Sequence, residues 1–376
     1  MLFTNRAGTN TLVQTSTLSK TNTLNQTSTL NNLMTDFTDI LNKLSTGSDL
    51  SFEEATFALK LIITGGVPEA RIAAFLFGMR MKGETIEELT AFVKVMREAA
   101  VHVEVNTEHA VDMCGTGGDH SNTFNISTGA MFVVAGAGVP VLKHGNRSIS
   151  SNSGSADVLE ALGVKALLPP ERIAACYEQS GMAFMFAPFH HPAMKYVMPA
   201  RKSLAMRTFF NILGPLMNPA GVKRQLIGAY NRETAETMIK ILANLGTEFA
   251  YTVNAHDGLD EFSTTSQADV FVLKNSVHSE SILFDPETLG YEKCEIDDLQ
   301  GGDSHANAII ISDILNGNGE RFHRDIVELN ATFAIHASGK FANLAEAGNA
   351  ARESLDSGAA AIALKRFVEC SNDLSD

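Results

Sequence analysis

The chain has 376 residues, 44% of them hydrophobic, and a formal charge of −14. That length suits one large domain plus a smaller one; the absence of any run of 18 apolar residues excludes a simple membrane-spanning helix, and the acidity works against nucleic acid as a partner, so any bound phosphate needs a local arrangement rather than a basic face. The four cysteines, Cys114, Cys176, Cys294 and Cys370, are far apart and form no CxxC pair, which argues against a disulfide framework or zinc site and for a reducing cytosol.

Residues 1–33 stand apart from the rest. They are rich in Thr, Asn, Ser and Leu, carry only Arg6 and Lys20 as charges, and repeat themselves, 9–20 against 21–32. Such a segment lacks the apolar mass to pack alone and reads as a disordered leader, with Met34 as an alternative start. From there to about residue 105 the apolar period turns helical. Phe37, Ile40, Leu41 and Leu44 share one face. Ser51 with Glu54, and Thr85 with Glu88, have the spacing of capping boxes. Gly65 and Gly66 stop one helix and Pro68 starts the next. The expectation is a small domain of four helices over 34–105.

Beyond residue 105 strands alternate with helices. Strands are predicted over 111–114, 139–143, 183–186, 225–228, 250–254 and 269–273, and helices over 127–137, 156–162, 171–180, 232–245 and several stretches after 305. This alternation implies an α/β domain over 106–376 with a mainly parallel central sheet covered by helices. A helical-looking stretch within 189–210 is expected to pack back on the first domain.

Four loops carry the chemistry. The first runs from the strand 111–114 through Gly115, Thr116, Gly117, Gly118 and Asp119 to Asn125, Ser127 and Thr128, where a helix begins. Glycines allow close backbone approach to a ligand, and free N–H groups at a helix start attract phosphate. The second, Lys143-His144-Gly145-Asn146-Arg147-Ser148, leads into further serines and another helix; it reads either as a second phosphate site or as a basic surface turn. The third ends on Asp260-Glu261 after the strand 250–254. Adjacent carboxylates there suit Mg²⁺, which prefers oxygen ligands and often binds through few protein groups plus substrate phosphates, although a solvated acidic turn has the same appearance. The fourth joins Arg201 to the rigid turn Gly214-Pro215 and Asn218-Pro219; a guanidinium is matched to a carboxylate.

These motifs in this order resemble the anthranilate phosphoribosyltransferases. The resemblance rests on Cys114-Gly115-Thr116-Gly117-Gly118-Asp119, Asn125 to Thr128, Lys143 to Arg147, Gly154 to Gly163, Arg201, Asn211 to Pro219 and Asp260-Glu261. It covers nearly the whole chain from Met34. One departure is Ala205-Met206, where Leu-Gly-Ile is more usual.

The resemblance implies a helical domain joined to a larger α/β domain with the active site in the cleft, and a homodimer formed mainly through the helical domain. It implies transfer of the 5-phosphoribosyl group from 5-phosphoribosyl 1-diphosphate to the amine of anthranilate, in the cytoplasm, as a step of tryptophan biosynthesis. Two Mg²⁺ ions would be held by Ser127, Asp260 and Glu261. Gly115, Gly118, Asp119, Thr123, Asn125, Ile126, Ser127 and Thr128 would line the diphosphate and ribose. Lys143, His144, Gly145, Asn146, Arg147, Ser148, Ile149, Ser150, Ser151 and Ser155 would complete that pocket. Gly115, Asn146 and Arg201 would position anthranilate, with His144 and Pro215 lining its channel. No residue is assigned as a general base. Two rivals are a pyrimidine nucleoside phosphorylase-like enzyme, against which Lys143–Arg147 and Asp260-Glu261 argue, and a non-catalytic nucleic-acid-binding relative, against which Asn146, Arg201 and the acidic charge argue.

Overall fold

Side-chain caps decide where the first helices start. In the computed structural model, which describes residues 36–119, 121–147 and 153–374, α1 spans Phe37–Ser45, α2 Phe52–Ile63, α3 Glu69–Lys82 and α4 Ile86–Glu98. Asp36, Ser51 and Thr85 each accept a backbone N–H of the first turn, and Asp39, Glu54 and Glu88 return the bond. Both capping boxes expected from the sequence are therefore formed, and a third opens α1. Pro68 sits at the N-cap of α3. The four helices bury Ile40, Leu59, Phe75, Phe92 and their neighbours.

The second part begins with β1 (Asp112–Gly115), α5 (Ile126–Gly136), β2 (Val141–Gly145), α6 (Ser155–Ala161), α7 (Pro170–Ser180) and β3 (Met182–Phe186). Then follow α8 (Ala187–His190), a 3₁₀ turn over Pro192–Tyr196, α9 (Met198–Leu204) and α10 (Phe210–Leu213). The helical pattern read over this stretch is thus broken into pieces, with Pro192 and Pro199 at their first turns. The chain continues through β4 (Arg224–Gly228), α11 (Arg232–Asn244), β5 (Phe249–Ala255), β6 (Ala268–Lys274), β7 (Val277–His278) and β8 (Ile282–Phe284). It closes with α12 (Ser304–Leu315), α13 (Arg321–Ala337), α14 (Leu344–Asp356) and α15 (Ala359–Asp373).

β3 pairs with β2, β1 with β4, and β4 with β5, all in parallel. A parallel bridge between Val111 and Val141 carries β2 onto β1. β6 lies antiparallel to β5 and carries β7 and β8 at its edge. The mainly parallel sheet read from the sequence is present, with an antiparallel edge that the strand pattern did not reveal. Strand order reverses between β1 and β4, and α/β sheets bind ligands beyond the carboxyl ends of strands at such a switch.

Two apolar cores hold these layers. One lies within the α/β part, around Phe124, Phe132, Leu142, Phe184, Phe262 and Phe333. The other runs from Phe75 and Phe92 through Phe209 and Leu213 to Ile227, Ile239 and Phe271. Phe92 stacks on Phe209 with centroids 4.4 Å apart. The four-helix part is thereby seated on the sheet through α11 and the segment carrying Arg201 and Pro215, beside the loops that leave β1 and β4.

Candidate active site

The glycine loop and the acidic pair meet where β1 and β4 end. A Cβ on Gly115 would lie 2.2 Å from Asp260 Oδ2, and one on Gly228 would lie 1.4 Å from the Asp260 carbonyl oxygen. Both strands end bare so that the segment leaving β5 can cross them. The Gly117 N–H donates to Asp260 Oδ2 at 2.6 Å. Gly117 and Gly118 both have positive φ, +66° and +78°, a turn that side chains resist. The Asp119 carboxylate accepts from Ser121 Oγ at 2.6 Å, and Thr123 Oγ1 lies 3.4 Å from that hydroxyl. Glu261 Oε1 accepts the Ser127 N–H, in the first turn of α5, at 3.3 Å.

Three carboxylates therefore share a small space. Burial, followed by the negative charges of Asp119 and Glu261, pushes the Asp260 pKa well above the usual carboxylate range. Burial also pushes Glu261 up to about 7, opposed by Lys143. Lys143 is one cation against three carboxylates, and a divalent cation with oxygen ligands would supply the remaining compensation. Among the described residues no three His, Cys, Asp or Glu side chains converge enough to hold a metal by themselves. The donor set fits Mg²⁺ bound through one or two carboxylates, with water and phosphate oxygens completing its shell.

The loop after β2 faces the same space. Lys143 is buried; its Nζ donates to the Met113 carbonyl oxygen and, at 3.2 Å, to Ser127 Oγ. His144 lies against the rigid turn, with Nδ1 3.1 Å from the Gly214 carbonyl oxygen. Its N–H donates to Asp112 Oδ1 at 3.1 Å, and Asn218 Nδ2 donates to the other oxygen at 2.8 Å. Burial pushes Asp112 up to about 6 despite these donors. Gly145 leaves room for Ser155, whose Oγ would lie 2.5 Å from a Cβ there. Asn146 is exposed, and its carbonyl accepts from Ser155 Oγ at 3.2 Å. Arg147 turns to α6, pairing with Asp157 at 2.6 Å and Glu160 at 2.8 Å. Ser148, Ile149, Ser150 and Ser151 lie outside the described residues.

Arg201 sits on α9 with its guanidinium 5.5 Å from the Phe210 ring centroid. Burial lowers its pKa, and it forms no salt bridge among the described residues. A half-buried guanidinium without a carboxylate partner is ready for one from a ligand. Pro215 is buried on the rigid turn, where its carbonyl accepts from Gln225 Nε2 at 2.9 Å. Ile126 and Thr128 are buried at the start of α5. Asn125 Oδ1 accepts from Ser153 Oγ at 3.0 Å and Asn307 Nδ2 at 2.9 Å.

Asn307, Asn330 and Arg207 support these loops without having been singled out from the sequence. Asn330 is fully buried on α13; it accepts the Phe262 N–H at 3.0 Å and donates to the Phe262 carbonyl at 2.8 Å, next to Glu261. Arg207 donates to the Gly118 carbonyl at 2.7 Å. No local motif marks Asn307 or Asn330, apart from Gly301-Gly302 five residues before Asn307; Arg207 opens the Arg-Thr pair that follows Ala205-Met206.

Comparison with known proteins gives the same answer over both parts. Residues 38–100 match the helical bundle domain of a glycosyl transferase family, and residues 107–361 match its a/b domain. An anthranilate phosphoribosyltransferase of Salinibacter ruber is 48% identical over 337 residues, covering 89% of this chain and 98% of that protein. The crystal structure of an anthranilate phosphoribosyltransferase from Thermus thermophilus is 36% identical with a TM-score of 0.82, covering 88% of this chain and 99% of that one. The Saccharomyces cerevisiae anthranilate phosphoribosyltransferase in complex with PRPP and Mg is 26% identical with a TM-score of 0.81, covering 90% and 98%.

Proposed function

This chain belongs to the anthranilate phosphoribosyltransferase family, and on that premise we propose that it transfers the 5-phosphoribosyl group of 5-phosphoribosyl 1-diphosphate to the amine of anthranilate, releasing diphosphate in a step of tryptophan biosynthesis. The observation that carries this reading is the meeting of the glycine loop with Asp260 and Glu261 at the carboxyl ends of β1 and β4. That arrangement suits a ligand carrying both phosphate oxygens and a divalent cation.

Ser127, Asp260 and Glu261 would hold two Mg²⁺ ions, whose charge offsets the negative charge gathering on the leaving diphosphate. Gly115, Gly118, Asp119, Thr123 and residues 125–128 would line the diphosphate and ribose, and residues 143–147 with Ser155 would close the described part of that pocket. Lys143, bonded to Ser127, places a fixed cation beside the acidic pair. Arg201 faces the anthranilate carboxylate, with Asn146, His144, Gly115 and Pro215 around the ring. The aniline nitrogen is weakly basic, so orientation and electrostatics outweigh proton abstraction.

Two copies associate through the helical domain; Phe77 and Met81, exposed on α3, support a contact there. We assign the enzyme to the cytoplasm; no described helix is long and apolar enough to cross a membrane. The test is Arg201→Ala in steady-state kinetics. The KM for anthranilate rises by an order of magnitude or more while that for 5-phosphoribosyl 1-diphosphate stays within about twofold, the pattern for losing one charge-assisted contact. Equal losses for both substrates refute the assignment.

A further inference from the structure

The glycine loop is tied down from its far side by a strap. Its cation comes from the end of α9, which closes with Ala205 in the left-handed region at φ 49°. That reversal aims Met206-Arg207 back toward the sheet. Arg207 Nη2 donates to the Gly118 carbonyl at 2.7 Å, and the guanidinium lies 4.3 Å from the Tyr230 ring centroid. Tyr230, just beyond β4, donates its backbone N–H to Thr116 Oγ1 at 3.1 Å, and the Thr116 N–H donates to the Gly228 carbonyl at 3.0 Å. The circuit from Thr116 to Gly118, Arg207, Tyr230 and back to Thr116 is closed. Gly118 is needed twice in it: its φ is +78°, and a Cβ there would lie 2.8 Å from Arg207 Nη2.

Two other cations near the glycine loop have partners of their own, and Arg201 lies on the acceptor side. Lys143 is bonded to Met113 and Ser127, and Arg147 is paired with Asp157 and Glu160. Among the described residues, Arg207 is the cation bonded to the glycine loop itself. It is an exposed side chain, yet its plane is held by a ring on one side and a carbonyl at its edge, the geometry that distinguishes Arg from Lys.

We propose that Arg207 is a positioning residue for diphosphate binding, acting through Gly118 and carried on the Tyr230 ring. Holding the Gly118 carbonyl outward keeps the 116–118 turn in the one conformation that fits beneath a diphosphate. Arg207 lies six positions after Arg201, so one short helix and its exit connect the glycine loop to the site proposed for the acceptor carboxylate. The inference rests on the reading of that loop as a diphosphate cradle.

The experiment compares Arg207→Ala, Arg207→Lys and Tyr230→Leu with the unaltered protein. Calorimetric titration with magnesium diphosphate measures the cradle without any acceptor, and kinetics measure both KM values. Arg207→Ala is expected to weaken magnesium diphosphate about tenfold or more and to raise the KM for 5-phosphoribosyl 1-diphosphate alike, while the KM for anthranilate stays within about twofold. Arg207→Lys restores part of the loss, because charge returns without the planar stack. Tyr230→Leu shifts the same two quantities by a smaller factor. A lower melting temperature with unchanged diphosphate affinity would show a purely structural role and overturn the inference, as would equal effects on both substrates. If the unaltered protein binds magnesium diphosphate but does not consume anthranilate, the acceptor assignment fails and the strap is still decided by the titration.

Discussion

Gly115 and Asp260 occupy space that only one of them can fill: a single carbon added to Gly115 would stand 2.2 Å from the Asp260 carboxylate. The bare end of β1 is what lets an acidic side chain from the loop after β5 reach the Gly117 N–H at 2.6 Å. Gly115→Ala must therefore displace Asp260, while the strand's own pairing with β4 needs no glycine. Turnover is expected to fall about a hundredfold or more, with little change in the circular dichroism spectrum. The assay is kcat/KM for 5-phosphoribosyl 1-diphosphate beside a thermal melt; retained turnover would show that Asp260 has no fixed role.

Asn330 holds Phe262 by both its backbone groups, and Phe262 stacks on Phe333 with centroids 3.6 Å apart. Glu261 is thus anchored by its neighbour. Asn330→Ala leaves a buried N–H and carbonyl unpaired, which costs about 2–4 kcal/mol. Denaturant unfolding should register that loss. The Mg²⁺ concentration for half-maximal activity should rise in the same variant; a stability loss with unchanged Mg²⁺ dependence would show that the clamp serves folding alone.

Asp112 supplies a pH dependence with a definite sign. Burial raises its folded pKa from 3.8 to about 6, so folding favours the protonated form. Its contribution to stability is full below pH about 4 and is lost as pH rises through about 6. The difference corresponds to ~3 kcal/mol as an upper bound. Asp112→Asn removes that titration, so the stability of the variant relative to the parent should increase between pH 4 and 7. Urea unfolding across that range gives the comparison, and parallel curves would contradict the burial argument.

Much of the fold was legible because local rules and tertiary structure agree. Ser51 with Glu54 and Thr85 with Glu88 mark helix starts that form, and the apolar runs at 225–228 and 250–254 fall within β4 and β5. β7 and β8 escaped notice because they are two and three residues long and largely exposed, leaving no periodicity to read. In the site, Gly115, Gly117 and Gly118 are visible because a backbone constraint writes itself into the sequence as glycine. Arg207, Asn307 and Asn330 reach partners 89, 182 and 68 residues away. Their meaning depends on the folded chain, and one arginine or asparagine looks like another until the partner is seen.

The most direct measurement of the central claim is the loss of anthranilate fluorescence on adding the full-length protein with 5-phosphoribosyl 1-diphosphate and Mg²⁺. Consumption is predicted only when all three are present, matched by released diphosphate, and abolished by chelation of the metal or by Asp260→Ala together with Glu261→Ala in a protein that still melts cooperatively. Unchanged anthranilate at saturating 5-phosphoribosyl 1-diphosphate, with phosphorolysis of a pyrimidine nucleoside in its place, would contradict it.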